Sequence, residues 1–181
     1  MTLPRVMGWD LAAEQSGVAL PDGTTTVIKA KKVTGRRRTL VDDMERLALV
    51  DRRSAELIAA YEPTLAVIED YAAGIRGNPV HRLAECGGQV RLNCWNAGVP
   101  VALVNVQHVK EYATGKGGAT KSEMATSALS RAGLVFDTED ECDAWWIRAM
   151  GCDWLGHPVV DLPKAQRAVL AKVKDWPEMT R

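Results

Sequence analysis

Residues 5–28, RVMGWDLAAEQSGVALPDGTTTVI, decide how this chain folds. Arg5 to Ala12 is mostly apolar, and the period of two of an extended strand sets Gly8 and Asp10 on one face. Ser16 to Leu20 is a second short run of strand character. Pro21-Asp22-Gly23 supplies turn chemistry, and the β-branched run Thr24 to Ile28 follows directly. Three short strands with two tight connections make an antiparallel meander. Within it Asp10 is out of place, because a charge in an apolar strand is costly unless something compensates it. It either ends the strand as a loop-capping residue or serves chemistry.

Beyond a basic stretch, Lys29 to Arg38, the period changes. From Thr39, Leu40, Met44, Leu47, Ala48, Ala55, Ile58 and Ala59 fall near one helical face, which Glu62-Pro63 ends. A compact apolar run, Leu65 to Ile68, closes on Glu69 and reads as a buried strand. A Gly-containing segment, Ala72 to Asn78, precedes a helix expected from about Pro79 to Asn96, and Val99 to Val106 reads as a further strand. Thr120-Lys-Ser-Glu123 and Thr138-Glu-Asp-Glu141 are capping boxes, opening helices expected to stop at Gly133 and about Gly151. A meander followed by alternating helices and strands implies a mixed sheet with helices on both faces. This is the element order of an RNase H-like fold.

The chain has 181 residues, which sets the expectation of one domain, over 1–156, with a tail at 157–181. Apolar runs fall far short of the roughly 20 residues of a membrane helix. The N-terminal apolar stretch meets Asp10 too soon for a signal peptide, so a cytoplasmic location is expected. Cys86, Cys94, Cys142 and Cys152 lack the paired spacing of zinc sites and are expected as free thiols. Basic and acidic residues balance at 23 each, so any nucleic-acid surface must come from local distribution, not overall charge.

Glu69 ends its strand as Asp10 ends the first. Asp70 beside it points the other way by strand alternation. Asp140 and Asp143, three apart on one helix, share a face. Acids in a first helical turn are favoured by the dipole, which accounts for Asp140 without any function and for Asp143 less well. Brought to one point, four carboxylates repel and need cations to stay ionised. Such oxygen ligands suit Mg²⁺ or Mn²⁺, and a pair of ions suits phosphodiester hydrolysis.

Cations for such a substrate lie nearby in sequence. Lys110, Lys116 and Lys121 surround a Gly-Lys-Gly-Gly loop that leads into the Thr120 helix, whose N-terminus favours phosphate. Arg36, Arg37 and Arg38 form a second basic patch, and Arg76, between Gly74 and Gly77, is a third contact. Each also reads as an ordinary solvated connector. The lysine loop lacks the GxxxxGK[ST] of a nucleotide-binding loop, so no nucleotide cofactor is expected.

With these residues placed, the chain resembles the RuvC family of Holliday junction resolvases, and most closely its divergent bacteriophage forms. GWDLAAEQSGVAL, LAVIEDYAAG, VKEYATGKGGATKSEM and DECDAWW carry the resemblance, in order, over roughly residues 5 to 155. It implies that Asp10, Glu69, Asp140 and Asp143 are catalytic ligands of two Mg²⁺ ions, which Mn²⁺ can replace. It also places Lys110 and Lys121 near the scissile phosphate, and implies a homodimer, touching through the helix at 79–96 near Gly87 and Gly88, that nicks opposing strands of a four-way junction symmetrically. The family's Asp-Pro-Gly is here Asp10-Leu11-Ala12. Its aromatic wedge three residues past the second acid is matched only by Tyr71, two past Glu69, with Ala72 in the third place. After Gly156 the likeness fades, and Leu162 to Trp176 reads as a basic amphipathic helix. Rival readings are a broader fork and flap nuclease, a junction-binding protein that does not cut, and an actin-like ATPase, for which the chain is too short.

Overall fold

A computed structural model describes residues 3–70 and 78–178. The meander is there: β1 (Val6–Asp10), β2 (Gln15–Ala19) and β3 (Thr25–Lys29) pair antiparallel, with Asp10 opposite Gly17. Helix α1 (Leu40–Tyr61) carries the chain back so that β4 (Leu65–Glu69) lies parallel to β1, Trp9 beside Ile68. Helix α2 (Asn78–Asn96) returns it again, and β5 (Val101–Val104) adds parallel to β4. The sheet order is β3-β2-β1-β4-β5, so the two strands that end in acids are central neighbours.

Helices cover the two faces unequally. α1 and α2 pack on one face over a core that includes Met7, Trp9, Ile68, Cys86 and Val90. The other face carries α5 (Glu139–Trp154), supported by α3 (Val106–Thr114) and α4 (Lys121–Ala132), over Val6, Val67, Tyr112, Trp146 and Met150. From Glu141 to Asp153 every residue of α5 is buried. A helix enclosed by its neighbours on every side has no solvent-facing polar stripe, which is why α5 shows its caps in sequence but little periodicity.

Three close approaches seat α5 on the sheet. A Cβ on Gly17 would collide with the backbone of Asp140, and one on Gly8 with the backbone of Ala144 and Arg148. A Cβ on Gly151 would lie 2.6 Å from Val67 and 2.8 Å from Val6. Absence of side chains at these points lets the helix backbone rest directly on the strands.

The structure corrects the sequence reading in three places. The expected strand 99–106 covers only Val101–Val104, and a helix follows where a basic loop was expected. This is α3, begun by Asn105, whose side chain accepts from the Gln107 N–H, and ended by Gly115 at φ 84°. α5 continues past Gly151 to Trp154. The tail forms not one amphipathic helix but a short α6 (Lys164–Arg167) and a 3-10 turn (Ala168–Lys172). Its Leu162, Val169 and Val173 join the core beneath α5, and Trp176 stacks on Trp154 at 4.7 Å. All four cysteines are buried free thiols.

Candidate active site

Asp10 and Glu69 are the last residues of adjacent parallel strands, so one end of the sheet presents both. Thr138 caps α5 through a complete capping box with Glu141, which commits the Glu141 carboxylate to the helix start and to the Thr25 hydroxyl. Asp140 and Asp143 then face the strand ends from above. Gly17 decides the height of that first turn, since the Asp140 backbone rests on it. Asp70 lies beyond the strand end, its N–H donating to Val104.

Two of the acids are bound by neighbouring side chains. Gln15 Nε2 donates to Asp140 Oδ2 at 2.8 Å. Lys121, the first residue of α4, donates to Asp143 Oδ2, while Asp143 Oδ1 is buried without a hydrogen-bond partner among the described residues. Gln15 is the functional neighbour that sequence reading missed. Its only signal was a long amide beside the first acid.

The electrostatics are those of crowded carboxylates. Burial, then repulsion by Glu69 and Asp143, raises Asp10 well above the usual carboxylate range. Glu69 is pushed up to about 7 by burial and by Asp143, although Lys121, Lys110 and a hydrogen bond with Asp10 pull the other way. Asp143 is raised by burial despite Lys121 and Lys110. Burial pulls the Lys121 ammonium down, but Asp143, Asp10 and Asp140 together outweigh it and raise it. Both lysines therefore face the acids, and between them they do not neutralise the cluster.

No three acids among the described residues close into a ready cation cage. Two of the four are turned toward Gln15 and Lys121 instead. Those partners are flexible side chains, whereas the backbone positions of the acids are set by strand ends and a seated helix. An all-carboxylate donor set, with Asp10 and Asp143 buried, Glu69 and Asp140 half-buried and one oxygen orphaned, fits a hard divalent cation once Lys121 swings aside.

The other predicted contacts are distributed differently. Lys116 follows the α3 cap and pairs with Glu123 at 3.0 Å on the surface. Arg36 is held by Asp42, which in turn belongs to the Thr39 capping box of α1. Arg38 reaches Glu14 at 3.3 Å and Asp43 at 3.5 Å, and Arg37 is exposed between them. These arginines lie at the β3–α1 connection, off the acid cluster. Tyr71 and Arg76 fall outside the described residues.

A family model described as "Crossover junction endodeoxyribonuclease RuvC" matches residues 6–135. The match takes in Asp10, Glu69, Lys110 and Lys121 but ends before α5, so Asp140 and Asp143 rest on the geometry. A protein so named from Roseiflexus is 30% identical over 127 residues, 68% of this chain and 74% of its own. Another from Alkalilimnicola ehrlichii is 25% identical over 122 residues, 67% of this chain and 74% of its own. Among solved structures, Thermus thermophilus RuvC in complex with Holliday junction substrate superposes with a TM-score of 0.68 at 18% identity. It covers 87% of this chain and 98% of the other, and at that identity it speaks for the fold, which is RNase H-like.

Proposed function

From the premise that this chain belongs to the crossover junction endodeoxyribonuclease RuvC family, a family of nucleases, we propose that it resolves four-way DNA junctions by symmetric nicking. The observation that carries the reading is the acid cluster of Asp10, Glu69, Asp140 and Asp143 with its unneutralised charge, placed where two strand ends meet α5. These four side chains would hold Mg²⁺, with Mn²⁺ able to replace it. Bound as a pair, the ions would activate the attacking water and stabilise the departing oxygen.

What the chain itself contributes is position and charge. Gln15 fixes Asp140 from β2. Lys121 holds Asp143 and, on release from it, is within reach of a phosphate at the same site. Lys110 adds a second positive charge at half-buried depth. Lys116, Arg36 and Arg38, paired on the surface with Glu123, Asp42, Glu14 and Asp43, would exchange those partners for more distant phosphates, and Arg37, Tyr71 and Arg76 complete the proposed DNA contacts. The phosphate contacts supply affinity and salt dependence, not sequence selection.

Paired nicks need two sites related by symmetry, hence a homodimer. α2 supports that role: Leu92 is 51% and Trp95 81% exposed, and a Cβ on Gly88 would meet open space. An end-labelled immobile four-way junction with Mg²⁺ tests the proposal. Paired nicks at equivalent positions on opposite strands, abolished by EDTA, are expected. Cutting of forks and flaps alone would replace resolution with a broader branch-nuclease activity, and binding without cutting would refute catalysis.

A further inference from the structure

Beside the acid cluster lies a cleft of about 340 Å³ that no role yet uses. One wall is a stripe of α4, running from Lys121 through Ala125 to Leu129. The opposite wall is the 134–138 connection, and Asp143 lies at the inner end. Leu129 is 55% and Val135 81% exposed, an unusual placement for large apolar side chains unless something covers them. Phe136 lines the same wall, its ring held from behind by Trp145 at 6.1 Å. Asp137 and Glu139 stand along the lining of that wall, and Lys121 and Asp143 are shared with the acid cluster.

The walls select what enters. A cavity at the low end of the roughly 300–1,000 Å³ range of small-molecule sites holds one planar group and no base pair. Carboxylates at Asp137 and Glu139 repel phosphate, so the backbone of a DNA strand stays at the lysine end. Apolar and aromatic walls take a base face, and carboxylates accept from the amino group of cytosine or adenine, which thymine lacks. Continuity with Lys121 and Asp143 puts the cleft next to the phosphate that the nuclease reading assigns to that site.

We propose that this cleft seats one unpaired, amine-bearing nucleobase adjoining the phosphate to be cut. The inference rests on the nuclease reading for the neighbouring phosphate. A base already freed from pairing at a junction enters at least cost. The cleft thus gives the chain a base preference independent of the phosphate-binding lysines.

The test uses immobile four-way junctions in which 2-aminopurine, itself an amine-bearing base, replaces each base flanking the exchange point in turn. Emission is read with the full chain in EDTA. At one position emission should change severalfold with the wild type and with Ala125→Ser, and not with Ala125→Trp, which fills the cleft from exposed α4. With Mg²⁺, thymine at that position should slow nicking severalfold in the wild type, and the slowing should vanish in Asp137→Asn/Glu139→Gln. An emission change that survives Ala125→Trp, a bound junction with no responsive position, or equal nicking with thymine overturns the proposal. A wild type that gives the emission change but never nicks sinks the resolvase reading and leaves the cleft standing. Failure to bind any junction sinks both.

Discussion

Helix α5 buries an aspartate near each end, and the two are treated in opposite ways. Asp143 is 6% and Asp153 4% exposed, so both have lost nearly all solvation by water. Asp153 recovers it: the Tyr112 hydroxyl donates at 3.1 Å, the Arg167 Nε at 2.9 Å, and the Arg167 Nη2 closes a bidentate pair. The pairing is needed, because a helix C-terminus is the unfavourable end for an anion. Asp143 sits near the favourable end and yet keeps one oxygen with no partner. The one cation hydrogen-bonded to it, Lys121, is shared electrostatically with Asp10 and Asp140, and Lys110 acts on it only through space. A compensated buried charge holds the tail onto the fold, whereas an uncompensated one costs stability and persists where a ligand will compensate it.

The largest expected effect follows from removing the uncompensated charge. Asp143→Asn should lower junction nicking by on the order of 10³ or more, a loss of about 4 kcal/mol in transition-state stabilisation. Its thermal midpoint in EDTA should equal or exceed that of the wild type. A lower midpoint would mean that Asp143 stabilises the fold as Asp153 does, and the contrast between the two ends would collapse.

The glycines at the α5–sheet contact near each end sharpen the same contrast. Gly17→Ala forces the first turn of α5 off the sheet, because the obstacle is the Asp140 backbone. A displacement of about 1 Å at a reacting site costs roughly 10²-fold in rate. Gly151→Ala meets the side chains of Val67, Val6 and Leu65 and no backbone. It should cost about 1–3 kcal/mol by overpacking while keeping the nicking rate per folded molecule. Equal rate losses in the two variants, measured beside urea midpoints, would show that α5 shifts as one rigid rod.

Much of this organisation was legible in sequence, for reasons that differ between elements. The meander announced itself through short apolar and β-branched runs joined by the Pro21-Asp22-Gly23 turn, and Asp10 and Glu69 stood out as acids at the ends of apolar strands. The capping boxes at Thr120 and Thr138 were both realised, because Glu three residues on is a strong local signal. The equivalent box of α1 uses Asp42 in place of a longer side chain and escaped notice. α3 was missed because nine residues offer barely two turns of periodicity, and its lysine and tyrosine read as loop. Its Asn105 cap and Gly115 stop were visible all along. What no local pattern could supply was the close seating of α5 on Gly17 and Gly8, a property of two segments more than a hundred residues apart. The grouping of Asp140 and Asp143 with Asp10 followed from the expected packing of a helix over adjacent strand ends, and the family resemblance gave the group its role. The seating explains it physically.

At the compensated end, Arg167→Met leaves Asp153 buried without its cation. Breaking a fully buried pair costs about 3–5 kcal/mol, and because the Arg167 side chain is 44% exposed a loss of about 2 kcal/mol is expected. For a chain of this length that is a fall of roughly 4–8 °C in the thermal midpoint. Nicking per folded molecule should change little, since the pair touches neither the acids nor the lysines. A large loss of nicking with an unchanged midpoint would instead tie the tail to catalysis, through Gln166, which donates to the Tyr112 carbonyl of α3.

The smallest effect expected is a pH dependence with an unusual sign. Glu69 ordinarily titrates near 4.5 and in the fold is pushed up to about 7. Between those values the folded chain binds more protons than the unfolded one, so stability falls as pH rises through this window and levels off above it. Asp143 repels Glu69 and Glu69 repels Asp10, so Glu69→Gln should remove on the order of 1 kcal/mol of this penalty. In EDTA the variant's midpoint should exceed the wild type's by about 2–4 °C at pH 8 and by little at pH 4.5. Mg²⁺ should narrow the gap at pH 8, because a bound cation offsets in the wild type what the substitution removes. If the gap persists with Mg²⁺ at saturation, Glu69 is not a ligand, and its burial needs another explanation.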